Sequence, residues 1–181
     1  MTESIVLRVR SLRKTYHVGL SGCAASARAL DDVHFEVARG EVVAVVGPAN
    51  CGKTTLLRCA AGLLAADTGS LDRMPAADGR VAVTRYLHDP IELSQLRDAE
   101  ESWDLALVDN CDVVRGDVGG AFALLAAARA ARTTGRSMLL AAREIRAVAN
   151  VATRIVILEQ GRIVAPAGAS AARVAETAIR L

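Results

Sequence analysis

The chain has 181 residues, 22 of them basic and 20 acidic, for a formal charge of +2. That length suits one domain with a substantial core, and the balance of charge excludes a strong polyanion-binding field. Hydrophobic residues, many of them alanine, make up 52% of the chain and aromatic residues only 3%. A platform for stacking bases needs more rings, so no nucleic-acid partner is expected.

"MTESIVLRVR" lacks the apolar run of a signal peptide, and no segment reaches the ~18 apolar residues that cross a bilayer. Cys23, Cys51, Cys59 and Cys111 show neither zinc-ligand spacing nor a dense disulfide framework, which fits reduced thiols in a cytoplasmic protein.

In chain order, "SIVLRVRSL" alternates apolar and polar residues and predicts a first strand. Small residues around Gly19 to Arg28 predict a loop. "DDVHFEVARGEVVAVVG" reads as two strands joined at Arg39-Gly40, the second rich in valine and buried. A helix through "KTTLLRCAAGLLA" follows, then a turn at "ADTGSL". "RVAVTRYL" predicts a strand, "DPIELSQLRDAEES" a short polar, partly helical stretch, and "WDLALVDN" an apolar strand ending in an acid. "GGAFALLAAARAARTTG" suits a helix stopped near Gly135, "SMLLAA" a buried strand and "REIRAVANVA" a helix. "RIVILEQGRIVAPAG" reads as a hairpin turning at Gln160-Gly161, and "SAARVAETAIRL" as a final amphipathic helix. Strands alternating with helices predict an α/β fold with an antiparallel portion near the beginning. The chain reads as a single domain over 1–181, without repeats or linkers.

The most informative stretch is "GPANCGKTT", residues 47 to 55. Gly47, four residues, then Gly52-Lys53-Thr54 spell a phosphate-binding loop, preceded by a predicted strand and followed by a predicted helix. A triphosphate needs several donors at once. The backbone from about Asn50 through Cys51 and Gly52 to Thr55 supplies N–H groups at a helix amino terminus. Lys53 is expected to reach the β- and γ-phosphates, the Thr54 hydroxyl to ligate Mg2+, and Thr55 to contact the region of the α-phosphate. The matching carboxylate, which orients the magnesium, is Asp109 at the end of "LALVD".

Together, "ALDDVHFEVARGEVVAVVGPANCGKTTLLRCAAGLLAADTGSL" closely resembles the nucleotide-binding domain of the ATP-binding cassette (ABC) transporter family. The likeness extends upstream to "LRKTY" and downstream to "ATRIVILEQGRIVAPAG". It implies a P-loop NTPase fold, a mostly parallel sheet flanked by helices with an antiparallel β portion near the amino terminus. It also implies ATP and Mg2+ as cofactors, Tyr16 as the ring stacked on adenine, and a membrane permease and a second cassette as partners.

The middle of the chain departs from that pattern. Lys53 and Asp109 are 56 positions apart (109 − 53), roughly half the family's usual interval. The missing stretch is the family's helical subdomain, reduced here to about 89–102. Leu93-Ser94 has no glycines after it to form an LSGGQ-type signature. Asn110 stands where the family has a catalytic glutamate, and an amide cannot take a proton from water. Arg143 aligns with the switch histidine and His88 with the γ-phosphate-sensing glutamine, while "NCDVVRGD" shows little of the loop that pairs two cassettes.

The resemblance therefore implies an ATP-binding subunit with weak or absent hydrolysis on its own, at the cytoplasmic face of a membrane. A second reading is a soluble nucleotide-binding or regulatory module of the same ancestry. A third, a small-molecule kinase, conflicts with the order of elements and lacks an arginine-rich lid.

Overall fold

A computed structural model of the protein describes residues 4–20, 23–76, 78–79, 81–88, 103–112 and 118–164. In chain order the elements are β1 (Ile5–Leu20), β2 (Cys23–Ala38), β3 (Val42–Val46), α1 (Lys53–Ala61), β4 (Thr68–Arg73), β5 (Thr84–Leu87), β6 (Leu105–Val108), α2 (Val118–Thr134), β7 (Ser137–Ala142), β8 (Arg154–Glu159) and β9 (Arg162–Ile163). A 3-10 turn at Ile145–Ala147 lies between β7 and β8.

The strands form two sheets. One is antiparallel, in the order β2-β1-β4. The other runs β5-β6-β7-β3-β8-β9, with every pair parallel except the final β8–β9 hairpin. The expected fold class, a mostly parallel sheet with an antiparallel portion near the amino terminus, is therefore the observed one.

The central strands β3, β6 and β7 are buried on both faces, which is why they read as unbroken apolar runs rather than alternating ones. Alternate residues serve different cores. Val42, Ala44, Val108, Met138 and Leu140 meet Leu124, Ala127, Ala128 and Ala131 of α2. Val43, Val45, Leu105, Leu107 and Leu139 meet Leu56, Leu57 and Ala60 of α1, together with Val9, Leu30, Val33 and Phe35 of the antiparallel sheet. The alanine-rich face of α2 lets that helix lie close to the sheet. Turns at Arg39-Gly40 and Gln160-Gly161, and the stop of α2 before Gly135, fall where the sequence predicts them.

Four expectations are corrected. The predicted loop around Gly19 to Arg28 is strand: β1 and β2 pair through to Leu20 opposite Cys23. The predicted turn at "ADTGSL" opens β4, which hydrogen-bonds to the free edge of β1. The helix after the glycine loop ends at Ala61, because Gly62 (φ +77°) turns left-handed and its N–H closes on the Cys59 carbonyl. The helix expected over "REIRAVANVA" is a single 3-10 turn. The expected helical remnant at 89–102 with Leu93-Ser94, residues 113–117 of "NCDVVRGD", and the tail helix at 170–181 lie outside the described residues. Among the described residues, no helix is long and apolar enough to cross a membrane.

Candidate functional site

Parallel strands all point their carboxyl ends to one edge, where ligands of open α/β sheets bind. Gly47 follows β3, His88 follows β5, Asp109 and Asn110 follow β6, and Arg143 follows β7. Strand topology alone thus gathers four segments that are far apart in sequence.

The glycine loop is shaped by its neighbours as much as by any ligand. A Cβ on Gly47 would overlap the Leu158 carbonyl oxygen, and one on Gly52 (φ +110°) the Ala29 carbonyl oxygen. Both positions require glycine because backbone from β8 and β2 passes too close for a side chain. Asn50 holds φ +61°, a left-handed conformation that asparagine tolerates better than most residues. Gly52 caps α1 without a side-chain hydrogen bond, so no side chain of its own occupies the first-turn N–H groups. Lys53 Nζ donates to the carbonyl oxygens of Gly47 and Pro48, both at 2.7 Å, and lies 3.5 Å from Cys51 Sγ. The ammonium is therefore curled back over the loop it belongs to.

Asp109, 4% exposed, is fixed from two sides. Its Oδ1 accepts the Asn110 N–H at 2.9 Å and its Oδ2 accepts the Tyr86 hydroxyl at 3.2 Å. Burial pushes the Tyr86 phenol above its ordinary range, with the Asp109 charge adding to the rise and Arg58 opposing it. Arg58 on α1 holds its proton more firmly than usual, chiefly through hydrogen bonding with Tyr86 and then through the Asp109 charge. Asn110 sits at φ +54°. Arg143 and Glu144 donate their backbone N–H groups to Asp112 at 2.6 and 3.1 Å, and the Arg143 guanidinium lies 3.7 Å from the same carboxylate.

Two cavities adjoin at the loop. One, of about 300 Å³, is lined by Tyr16, Arg28 and Ala29 together with Asn50 and Gly52 to Thr55. There the Tyr16 hydroxyl is 3.3 Å from Thr55 Oγ1. Arg28 reaches back to Asp31, whose carboxyl is held below its usual range first by Arg162 and then by Arg28. The second cavity, of about 210 Å³, is lined by Lys53, Thr54, His88, Asp109, Asn110, Asp112 and Arg143, and shares Asn50, Lys53 and Thr54 with the first. His88, Asp109, Asn110 and Arg143, chosen from separate stretches of sequence, all come to this one space.

The donor set fits a nucleotide better than a self-sufficient metal cage. Among the described residues, no group of three or more His, Cys, Asp and Glu side chains converges to hold a cation. One hydroxyl (Thr54) and one carboxylate (Asp109) instead suit a hard cation that takes its other ligands from phosphate and water, as Mg2+ does.

The sequence did not single out Asp112, Arg28, Tyr86 or Arg58. Asp112 and Arg28 line the cavities, and Tyr86 and Arg58 stand behind Asp109. Only Tyr86 left a trace: it is a hydroxyl-bearing ring at the end of a predicted strand, where the hydroxyl needs a partner.

Residues 30–141 match the family model described as ABC transporter. Over 53 residues the chain is 55% identical to a sulfate/thiosulfate import ATP-binding protein of Bordetella pertussis, covering 29% of this chain and 15% of that protein. Over 97 residues it is 36% identical to a phosphonates import ATP-binding protein of Caulobacter vibrioides, covering 54% and 33% respectively. The matched segments thus span a third or less of these relatives' lengths.

Among solved structures, a nucleotide-free ATP-binding cassette from an ABC transporter superposes with a TM-score of 0.71 at 15% identity, covering 97% of this chain and 95% of the other. CbiO1 of Clostridium perfringens, part of an ABC transporter complex, gives 0.68 at 14% identity, covering 98% and 93%. At such identities these two likenesses speak to the fold.

Proposed function

The chain belongs to the ABC transporter family, and from that premise we propose that it is an ATP-binding subunit that holds ATP with Mg2+ and turns it over slowly, if at all, when alone. The observation that carries this reading is the pair of adjoining cavities sharing Asn50, Lys53 and Thr54. An elongated ligand with an aromatic end and a polyanionic end matches that shape. Tyr16 offers the base a ring face, the first turn of α1 offers backbone N–H groups to phosphate, and Lys53 offers a positive charge. Thr54 and Asp109 offer oxygens to the cation.

ATP would bring a phosphoanhydride whose cleavage releases free energy, with Mg2+ neutralising its charge. The residues that would promote this cleavage are altered. Asn110 lines the cavity and can orient a water but cannot accept its proton, which removes a contribution of about 10²–10⁴-fold. Among the described residues that line the cavity, Asp112 is the carboxylate besides Asp109, and two backbone N–H groups and a guanidinium already engage it.

The curated relatives are import ATP-binding proteins. We extend from them that this chain works at the cytoplasmic face with a membrane permease and a second cassette. The single domain over 1–181 belongs to the same reading. The interval of 56 positions between Lys53 and Asp109 (109 − 53) favours the second reading, a soluble nucleotide-binding or regulatory module, because little chain is left for a permease-contacting subdomain.

The test is ATP–Mg2+ titration of the protein and of Lys53→Ala, with turnover measured on the same samples. Binding that Lys53→Ala abolishes is expected. Equal affinity in both proteins refutes the assignment.

A further inference from the structure

The Tyr86 hydroxyl beside the site is not explained by packing. The Tyr86 ring is partly buried against the core layer that α1 shares with the antiparallel sheet. Phenylalanine would fill that space equally well, so packing does not account for the oxygen.

Its partners do. Tyr86 lies on β5, paired in parallel register with Leu107 of β6, and the Asp109 N–H donates to the Leu87 carbonyl at 2.9 Å. Backbone pairing therefore fixes how far Tyr86 stands from Asp109, and the hydroxyl reaches Oδ2 at 3.2 Å. Arg58, five residues beyond Lys53 on the same helix, adds a positive charge that acts on both Tyr86 and Asp109. The phenol donates its own proton to the carboxylate.

Asp109 Oδ1 is meanwhile held by the Asn110 N–H at 2.9 Å. Each carboxylate oxygen keeps one further lone pair, in a rotamer pinned at both ends, beside a cavity that Thr54 also lines.

We propose that Tyr86 is a positioning residue for the divalent cation: its hydroxyl holds Asp109 in the orientation that receives Mg2+. The inference rests on the ATP–Mg2+ reading above. Groups that orient a metal-binding carboxylate from behind typically govern affinity by about 10–100-fold when removed.

The experiment titrates Mg2+ into the full-length protein with ATP, and measures ATP binding separately in EDTA, for the wild type, Tyr86→Phe, Asp109→Asn and the double variant. In Tyr86→Phe the Mg2+ midpoint is expected to rise about 10-fold, while ATP affinity in EDTA stays within about 2-fold. In the Asp109→Asn background the same change is expected to move the midpoint by less than about 2-fold.

An unchanged midpoint in Tyr86→Phe, or an equal loss with and without Mg2+, overturns the inference and leaves the ATP-binding reading standing. A wild type that binds no ATP in either condition overturns that reading, and this inference falls with it. Should Tyr86→Phe not fold, Tyr86→Met, which also removes the hydroxyl, is expected to raise the midpoint in the same direction, and an unaltered midpoint there counts against the proposal.

Discussion

The Gly161 N–H donates to the Cys51 carbonyl oxygen at 3.0 Å, so the turn of the β8–β9 hairpin is fastened directly to the glycine loop. The same glycine's carbonyl accepts the Asp31 N–H at 2.8 Å, and Arg162 Nε reaches the Asp31 carboxylate at 2.8 Å. A segment that lines neither cavity thereby holds the loop's backbone against β2.

Gly161→Ala is expected to break this fastening. Gly161 has φ +78°, and an added Cβ would sit 2.9 Å from the Ala29 carbonyl oxygen. Left-handed strain alone costs ~1–2 kcal/mol for an L-residue, and displacement from Ala29 adds to it. Urea denaturation should show a lower midpoint with an unchanged slope, and ATP–Mg2+ affinity should fall alongside it.

Tyr16 separates ring from hydroxyl. Its contact with Thr55 at 3.3 Å is long, and the residue is 39% exposed. Tyr16→Phe should leave ATP affinity within about 2-fold, whereas Tyr16→Ala should lose ~1–3 kcal/mol of stacking. Equal losses in the two variants, measured by calorimetry, would mean that the hydroxyl rather than the ring is what matters.

Asn110→Glu puts a general base back where the loop lacks one. ATP turnover should rise by at least about 10²-fold, the lower end for a positioned base, and Asn110→Gln should leave it flat. The backbone there, at φ +54°, suits asparagine better than glutamate. The gain should therefore come with a stability loss of ~1 kcal/mol, visible in thermal melts. Turnover that stays at background in Asn110→Glu would assign the deficit to some other part of the site.

Acid should selectively weaken the attachment of β4 to β1. Asp67 accepts from Lys14 Nζ at 2.8 Å and from the Thr15 N–H at 2.7 Å, and these bonds hold its carboxyl below the ordinary value of 3.8. A depressed folded-state pKa stabilises the fold above the unfolded value, and that contribution is lost as pH falls through the folded one. Asp67→Asn should therefore be less stable than the wild type near neutrality. The gap should close below about pH 3.8 and vanish in stronger acid. Denaturation midpoints followed from pH ~6 downward test the sign.

Legibility in the sequence divides along physical lines. The run Val42–Val46, the glycine spacing and the helix after it were plain, because burial on both faces leaves an unbroken apolar strand and the loop's backbone demands glycine at Gly47 and Gly52. The outer parts of β1 and β2 were not. Ala27 and Ser26 pair with Tyr16 and His17 through backbone hydrogen bonds that leave no mark on side-chain pattern. β4 reads as a turn in the sequence for a similar reason: Gly69, at φ +94°, looks like a loop residue, yet it sits where a Cβ would overlap the Ser11 carbonyl oxygen and only glycine lets the strands approach.

At the site, His88, Asp109, Asn110 and Arg143 could be placed because each ends or follows a recognisable strand. Tyr86, Arg58 and Asp112 act through partners brought near only by the fold, and no spacing along the chain encodes that proximity.

The strands and the loops at their carboxyl ends also carry different structural constraints. The interior positions of β3, β6 and β7 are set by packing, and a change there threatens the whole molecule. Asn110 and Arg143 stand past the strand ends, where replacement barely disturbs the scaffold. Changes past the strand ends can therefore alter the chemistry at this edge one residue at a time while the scaffold still folds.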